Sequence, residues 1–225
     1  KIDEIKNDLI SNITHEFKTP ITTISSAIEG IRSFNDIDDK EKTERYLNIS
    51  GQQLKKLEIM VEKLLETASL DTNELALNKE SVNIVELIKS NIDKHQLFAP
   101  EKHLIFNSNL EHLDCNVDLF HFENVISNLI DNALKYGGGT VYVRLSKTEK
   151  KVTITVEDNG SGIEKAQREK IFDKFYRIPK GNIHDVKGFG IGLFYSKKII
   201  EKHGGTLELL PNTKSTIFKI NLPDA

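Results

Sequence analysis

Over roughly the first seventy positions the apolar residues recur at the period of an α-helix. At about 100° per residue, Ile2, Leu9, Ile13, Phe17, Ile24, Ile28 and Ile31 fall on one stripe. A polar stretch from Ser33 to Lys40 then interrupts the pattern, as a turn between antiparallel helices would. In the second helix Leu47, Leu54, Val61 and Ala68 recur every seven residues, with Leu57 and Leu64 between them, which is the a/d seam of coiled coils and helix bundles. Two helices bury little surface by themselves. Two such hairpins, one from each of two copies, would close a four-helix bundle, so a homodimer is expected.

Beyond Asp71 the period changes. Thr140 to Leu145 and Val152 to Asp158 alternate at period two across the polar stretch Ser146 to Lys151, which predicts a β-hairpin. Ser215 to Leu222 predicts another strand, and Leu104 to Phe106 a weaker one. Helical patterns cover Val85–Leu97, Leu119–Lys135 and Ile191–His203, the last followed by Gly204 and Gly205 as a glycine cap. The expected fold is α+β: a helical hairpin over residues 1–72, a linker over 73–81, and an α/β sandwich over 82–225 with helices on one sheet face.

Composition narrows the class of function. A net charge of −3 gives no electrostatic reason for nucleic acid as a partner, and Cys115 is the only cysteine, so no internal disulfide forms. No run reaches the roughly eighteen apolar residues of a membrane span, and no signal-peptide pattern occurs. The helical repeat is already under way at Ile2 and there is no starting Met, so the chain is expected to be part of a longer protein.

His15 stands out in the first helix. It lies about 200° around from Ile13, away from the apolar stripe, on a face with Ser11, Lys18, Thr19 and Thr22. A plain surface histidine would satisfy that position. Its neighbours suggest more. Glu16 can orient an imidazole and accept its proton, and neutral imidazole is a nucleophile near neutral pH. Pro20 removes a helical hydrogen bond and crowds the Glu16 carbonyl, so the helix is expected to bend beside the histidine.

The second half contains no Walker phosphate loop. It carries four separate pieces instead. Asn128 and Asn132 share a helix face, with Lys135 and Tyr136 just beyond; their neutral oxygens suit Mg²⁺ that keeps its waters, and the ammonium suits a transferring phosphoryl group. Asp158-Asn159-Gly160-Ser161-Gly162-Ile163 ends a strand with a carboxylate on the expected core face, where it needs a donor such as an adenine amino group. Ile171 to Arg177 brings three aromatics beside a polar segment, about Arg177 to Lys187, that reads as a lid. Lys187-Gly188-Phe189-Gly190-Ile191-Gly192-Leu193 places glycines before a helix, where free N–H groups meet phosphate. Singly, each has a plainer explanation: a polar helix face, an Asp-Asn-Gly turn, or core aromatics.

The run Ser11-Asn12-Ile13-Thr14-His15-Glu16-Phe17-Lys18-Thr19-Pro20-Ile21 resembles the H-box of sensor histidine kinases of two-component systems. The four later pieces resemble, in order, the N-, G1-, F- and G2-boxes of their ATPase domain, the Bergerat fold shared with gyrase and heat-shock chaperone ATPases. The resemblance spans about Leu9 to Leu222. It implies phosphorylation of His15 by ATP with Mg²⁺, Glu16 as proton acceptor, Thr19 as a water-positioning group, and Asn128 as a participant in catalysis. By the same resemblance Asn132 and Asn128 bind the metal, Lys135 and Tyr136 touch the nucleotide, and Asp158 with Gly160, Gly162 and Ile163 reads the base. Gly188, Gly190, Gly192 and Leu193 cradle phosphates, and Thr216 packs near them. A response-regulator receiver domain is the implied partner, and the cytoplasmic part of a membrane-anchored bacterial receptor the implied location. Two departures stand out: the link after Tyr136 is only Gly137-Gly138-Gly139, and Thr213-Lys214-Ser215-Thr216 lacks the usual glycines. A nucleotide-binding scaffold without transfer, and another ATPase of this fold, are the alternative readings.

Overall fold

The computed structural model describes residues 2–33, 40–71, 75–178, 190–211 and 214–223. Contacts divide the chain into two units, Lys1–Leu75 and the described residues from Ala76 onward.

The first unit is a hairpin of α1 (Ile2–Ser33) and α2 (Lys40–Asp71). The expected turn lies almost wholly outside the described residues. Small side chains form the seam within the hairpin. Ala27 and Ser50 are buried, as is Pro20, and Gly30 lets the Tyr46 ring lie against the α1 backbone, since a β-carbon there would stand 3.2 Å from Tyr46 Cζ. The large apolar residues divide differently from the sequence pattern. Leu57 and Leu64 are half-buried, whereas Leu47, Leu54 and Val61 remain 59%, 57% and 45% exposed, with Ile21 and Ile28 likewise in solvent. Ile28 of the α1 stripe is 47% exposed in the single chain, whereas Ala27 beside it is buried.

In the second unit, β1 (Glu80–Asn83) leads into α3 (Ile84–Phe98), then β2 (His103–Ser108), β3 (Asp114–Val117) and α4 (Leu119–Tyr136). There follow β4 (Thr140–Lys147), β5 (Lys151–Asp158), two short 3₁₀ turns, α5 (Gly192–Lys202), β6 (Thr206–Leu209) and β7 (Thr216–Pro223). The main sheet has the order β2-β4-β5-β7-β6, with β2 parallel to β4 and the other pairs antiparallel; β1 and β3 form a separate antiparallel pair. Alternate residues Val152, Ile154, Val156 and Asp158 of β5 point inward beside Val141 and Val143 of β4 and Phe218 and Ile220 of β7. Ile88 of α3, Phe122, Ile126 and Leu129 of α4, and Ile199 and Ile200 of α5 supply the buried apolar layer packed on them.

Caps explain where the helices begin and end. The Asn83 side chain accepts the Val85 N–H at 3.2 Å, and Asp118 accepts the His121 N–H at 3.1 Å. After α5, Gly204 adopts φ +80°, and the Gly205 N–H reaches the Ile200 carbonyl at 2.9 Å, the glycine cap expected from Gly204-Gly205. Strands β1, β3 and β6 were not expected; each has only four residues. No described helix is long and apolar enough to cross a membrane.

Candidate functional site

Each unit carries one part of the candidate chemistry. On α1, His15 is exposed and Glu16 half-buried. Pro20 has no N–H, so the Glu16 carbonyl loses its helical donor. One position earlier, the Thr19 hydroxyl donates to the His15 carbonyl at 3.3 Å, and the Thr23 hydroxyl donates to the Thr19 carbonyl at 3.0 Å. Threonine hydroxyls bonded back to the preceding turn in this way, on either side of a proline, favour a bend in the helix. His15 and Lys18 edge a groove of about 730 Å³ that continues over Thr22 and Ser26 to Tyr46 and Ile49 of α2. The histidine therefore stands at the rim of a concave surface shared by both helices of the hairpin.

In the second unit, α4 presents the predicted side chains in sequence. Asn128 lies against the start of α5: a β-carbon on Gly192 would stand 3.7 Å from Asn128 Cγ and Oδ1. No side chain among the described residues caps α5, and its first N–H groups, which have no intrahelical partners, carry the positive end of the helix dipole. An amide oxygen and uncapped N–H groups thus meet at one place, where an anion and its cation are favoured. Asn132 is half-buried one turn further along α4. Lys135 pairs with Asp131 at 2.5 Å on the surface of the helix, and Tyr136 is exposed.

Asp158 is the chemical centre of the other end. It ends β5 on the core face with 4% exposure. Its Oδ1 accepts the Gly160 N–H at 2.8 Å, and Thr216, its antiparallel partner on β7, bonds it through side chain and backbone. Burial pushes the Asp158 carboxyl above the ordinary carboxylate range, opposed by these bonds and reinforced by the charge of Glu157. Thr216 accordingly stands beside Asp158.

Two of the three glycines after Tyr136, Gly137 and Gly138, have a steric reason. A β-carbon on Gly137 would lie 2.4 Å from Asp158 Cβ, and one on Gly138 would lie 2.3 Å from Asn159 Oδ1. Asn159 Oδ1 in turn accepts the Thr140 N–H at 3.0 Å, joining the turn after β5 to the start of β4. Gly137 and Asn159 escaped the sequence reading as site residues; the Asx-turn chemistry of Asp-Asn-Gly was the available signal. Gly162 takes φ +73°, and the Ile163 carbonyl accepts from Arg168 Nε at 2.9 Å, fixing the next segment.

The aromatics beside the predicted lid divide their roles. Phe172 meets Phe218 edge-on at 6.2 Å in the core. Phe175, with φ +69°, donates its N–H to the Gly190 carbonyl at 2.9 Å, and Gly190 at φ +67° has no room for a side chain against Tyr176 O, 2.7 Å from its would-be β-carbon. Leu193 is half-buried in the first turn of α5. Gly188, and the predicted lid from residue 179 on, lie outside the described residues.

Residues 117–225 match a family model described as "Histidine kinase-, DNA gyrase B-, and HSP90-like ATPase", and residues 5–73 match "His Kinase A (phospho-acceptor) domain". The sensor protein RprX of Bacteroides fragilis is 41% identical over 99% of this chain and 44% of that protein. Sensor histidine kinase WalK of Bacillus subtilis is 31% identical over 92% of this chain and 34% of its own length. The chain thus spans less than half of these relatives. Among solved structures, Acinetobacter baumannii histidine kinase AdeS aligns with TM-score 0.68 and 23% identity over 93% of this chain and 97% of that one. Histidine kinase ThkA in complex with response regulator protein TrrA aligns with TM-score 0.68 and 24% identity over 99% and 63%.

Proposed function

We infer, from the membership of this chain in the sensor histidine kinase family of two-component systems, that it phosphorylates itself on His15 and passes the phosphoryl group to a response regulator. In this reading residues 1–72 dimerise and carry the phosphoacceptor, 73–81 join the halves, and 82–225 hold ATP. The observation that supports it most is the pairing of chemistries: a buried carboxylate beside a glycine turn in one unit, and an exposed histidine followed by a carboxylate in the other.

Asp158 accepts a hydrogen bond from the adenine amino group, with Gly160, Gly162 and Ile163 forming that end of the site and Thr216 steadying the carboxylate. Phosphates lie at the start of α5 against Gly188, Gly190, Gly192 and Leu193, and Lys135 and Tyr136 touch the nucleotide from α4. Asn128 and Asn132 offer neutral amide oxygens, which fit a cation that arrives on the phosphates; Mg²⁺, when bound there, neutralises charge on the phosphate oxygens. The His15 Nε2 lone pair attacks the γ-phosphorus. The bond to the bridging oxygen breaks, ADP leaves, and the Nδ1 proton passes to Glu16. Positioning and charge neutralisation supply most of the acceleration.

The phosphoryl group then moves to an aspartate of a receiver domain seated in the groove beside His15, and Thr19 orients water for the reverse, dephosphorylating reaction. Leu47, Leu54 and Val61 form the heptad stripe that a second copy covers. In the same reading the chain is the cytoplasmic portion of a membrane-anchored bacterial receptor. The test is incubation with γ-labelled ATP. Label stable in alkali, labile in acid and absent from His15→Gln supports the reading; label retained by His15→Gln rejects it.

A further inference from the structure

We infer that Lys102, which lies outside every motif, is a positioning residue for the nucleotide base: it holds the glycine turn that walls the Asp158 carboxylate. The inference rests on the ATP-binding reading above and extends it to the discrimination of bases.

Three consecutive glycines between α4 and β4 make the least constrained link a chain can have, yet this link must stay pressed on Asp158 and Asn159. A β-carbon on Gly160 would come within 2.9 Å of the Gly137 Cα, so the two turns touch backbone to backbone. Something outside the turn has to hold it there. Gly139 is tied at its carbonyl by the His103 N–H at 2.9 Å. Gly138, the middle residue, is tied at its carbonyl by the Lys102 ammonium at 3.0 Å.

Lys102 is itself held. Its N–H bonds the Ala99 carbonyl at 3.1 Å, and its own carbonyl accepts the Gln96 side-chain amide at 2.8 Å, so the α3–β2 loop is fixed before the ammonium reaches out. Its side chain is half-buried, which limits the water that could replace it. The consequence falls on the base. If the Gly138 carbonyl is released, the glycines gain freedom, the wall beside Asp158 loosens, and a carboxylate placed for an adenine amino group is no longer held at one distance. Guanine, with a carbonyl at that position, is then rejected less sharply.

The test measures equilibrium binding of ATP and GTP to the whole chain carrying Lys102→Met, Lys102→Arg and Lys102→Met with Gly139→Ala. Position 139 is open: a β-carbon there meets nothing within 4 Å, and no positive φ opposes alanine. Losing a charged hydrogen bond of this kind should weaken ATP about three- to tenfold, with a smaller change for GTP, so that the ATP:GTP preference narrows while the melting temperature stays near that of the parent. Lys102→Arg should keep the preference, and Gly139→Ala should restore part of it by stiffening the link. Unchanged ATP affinity in Lys102→Met, or an equal loss for both nucleotides, overturns the inference and leaves the ATP reading standing. A parent protein that binds neither nucleotide overturns both.

Discussion

Gly137 lies so close beneath Asp158 that a methyl group on it would stand 2.4 Å from the Asp158 β-carbon and 2.6 Å from its carboxyl carbon. Helix α4, with its asparagines, therefore hands directly onto the carboxylate at the end of β5. Gly137→Ala is expected to displace Asp158, lowering ATP affinity more than tenfold and costing about 1–3 kcal/mol of stability through overpacking. Nucleotide titration and chemical denaturation measure the two effects separately.

Asp158→Asn separates binding from folding. Its carboxyl is pushed above its usual 3.8 first by burial. Between that value and the higher folded one, the folded protein keeps a proton that the unfolded chain has released. The group therefore adds stability that is complete below pH 3.8 and is lost as pH rises through the folded pKa. At neutral pH the asparagine variant should melt no lower than the parent, yet bind ATP about ten- to a hundredfold more weakly. Affinity of the parent should fall as pH drops through the raised pKa, since the ionised carboxylate is a stronger acceptor for the adenine amino N–H than the protonated carboxyl group. Binding isotherms across pH read this out.

His203 carries the opposite sign. Its Nε2 accepts the Asp118 N–H at 3.0 Å, and its Nδ1 donates to the Ile199 carbonyl at 2.7 Å, so the ring is held neutral at the join between α4 and α5. Burial lowers its pKa below the usual 6.5. Above pH 6.5 it is neutral folded or unfolded; as pH falls, the unfolded chain takes the proton first and stability is lost through the folded pKa. Urea denaturation between pH 8 and 5 should show this slope. His203→Ala should flatten it and cost about 1–3 kcal/mol at pH 8, because the Asp118 N–H loses its acceptor.

The exposed heptad stripe makes a prediction about assembly. Leu54→Asp places a charge in the middle of Leu47, Leu54 and Val61, where a second copy would have to desolvate it. Light scattering after size exclusion should find the parent dimeric and Leu54→Asp monomeric at the same concentration. A parent that is monomeric at micromolar concentration would contradict the bundle.

Much of this architecture can be read from the residues because period and position carry it. The seven-residue repeat of α2, the alternation of β4 and β5 and the glycines after α5 each announce their element within a single segment. Asp158 was legible as buried because parity along β5 decides it. What escaped depends on partners far away in the chain. Glu80–Asn83 and Asp114–Val117 are strands because they pair with each other; neither has the length or alternation to say so alone. Thr216 entered the site through the resemblance of Thr213-Lys214-Ser215-Thr216 to a family motif, and only the register of β5 and β7 shows that it sits opposite Asp158. In the hairpin, period identified the apolar residues but could not divide them between the seam with α1 and the face left to solvent.

The central claim is that the ring of His15 receives the γ-phosphoryl group. Fragmentation mass spectrometry of the ATP-treated protein, kept alkaline throughout, locates the modification by residue. The phosphoryl group is expected on His15, and its loss is expected in both Asn132→Ala and Asp158→Asn. Finding it on a serine, a threonine or another histidine, or finding none with ATP demonstrably bound, would contradict the account.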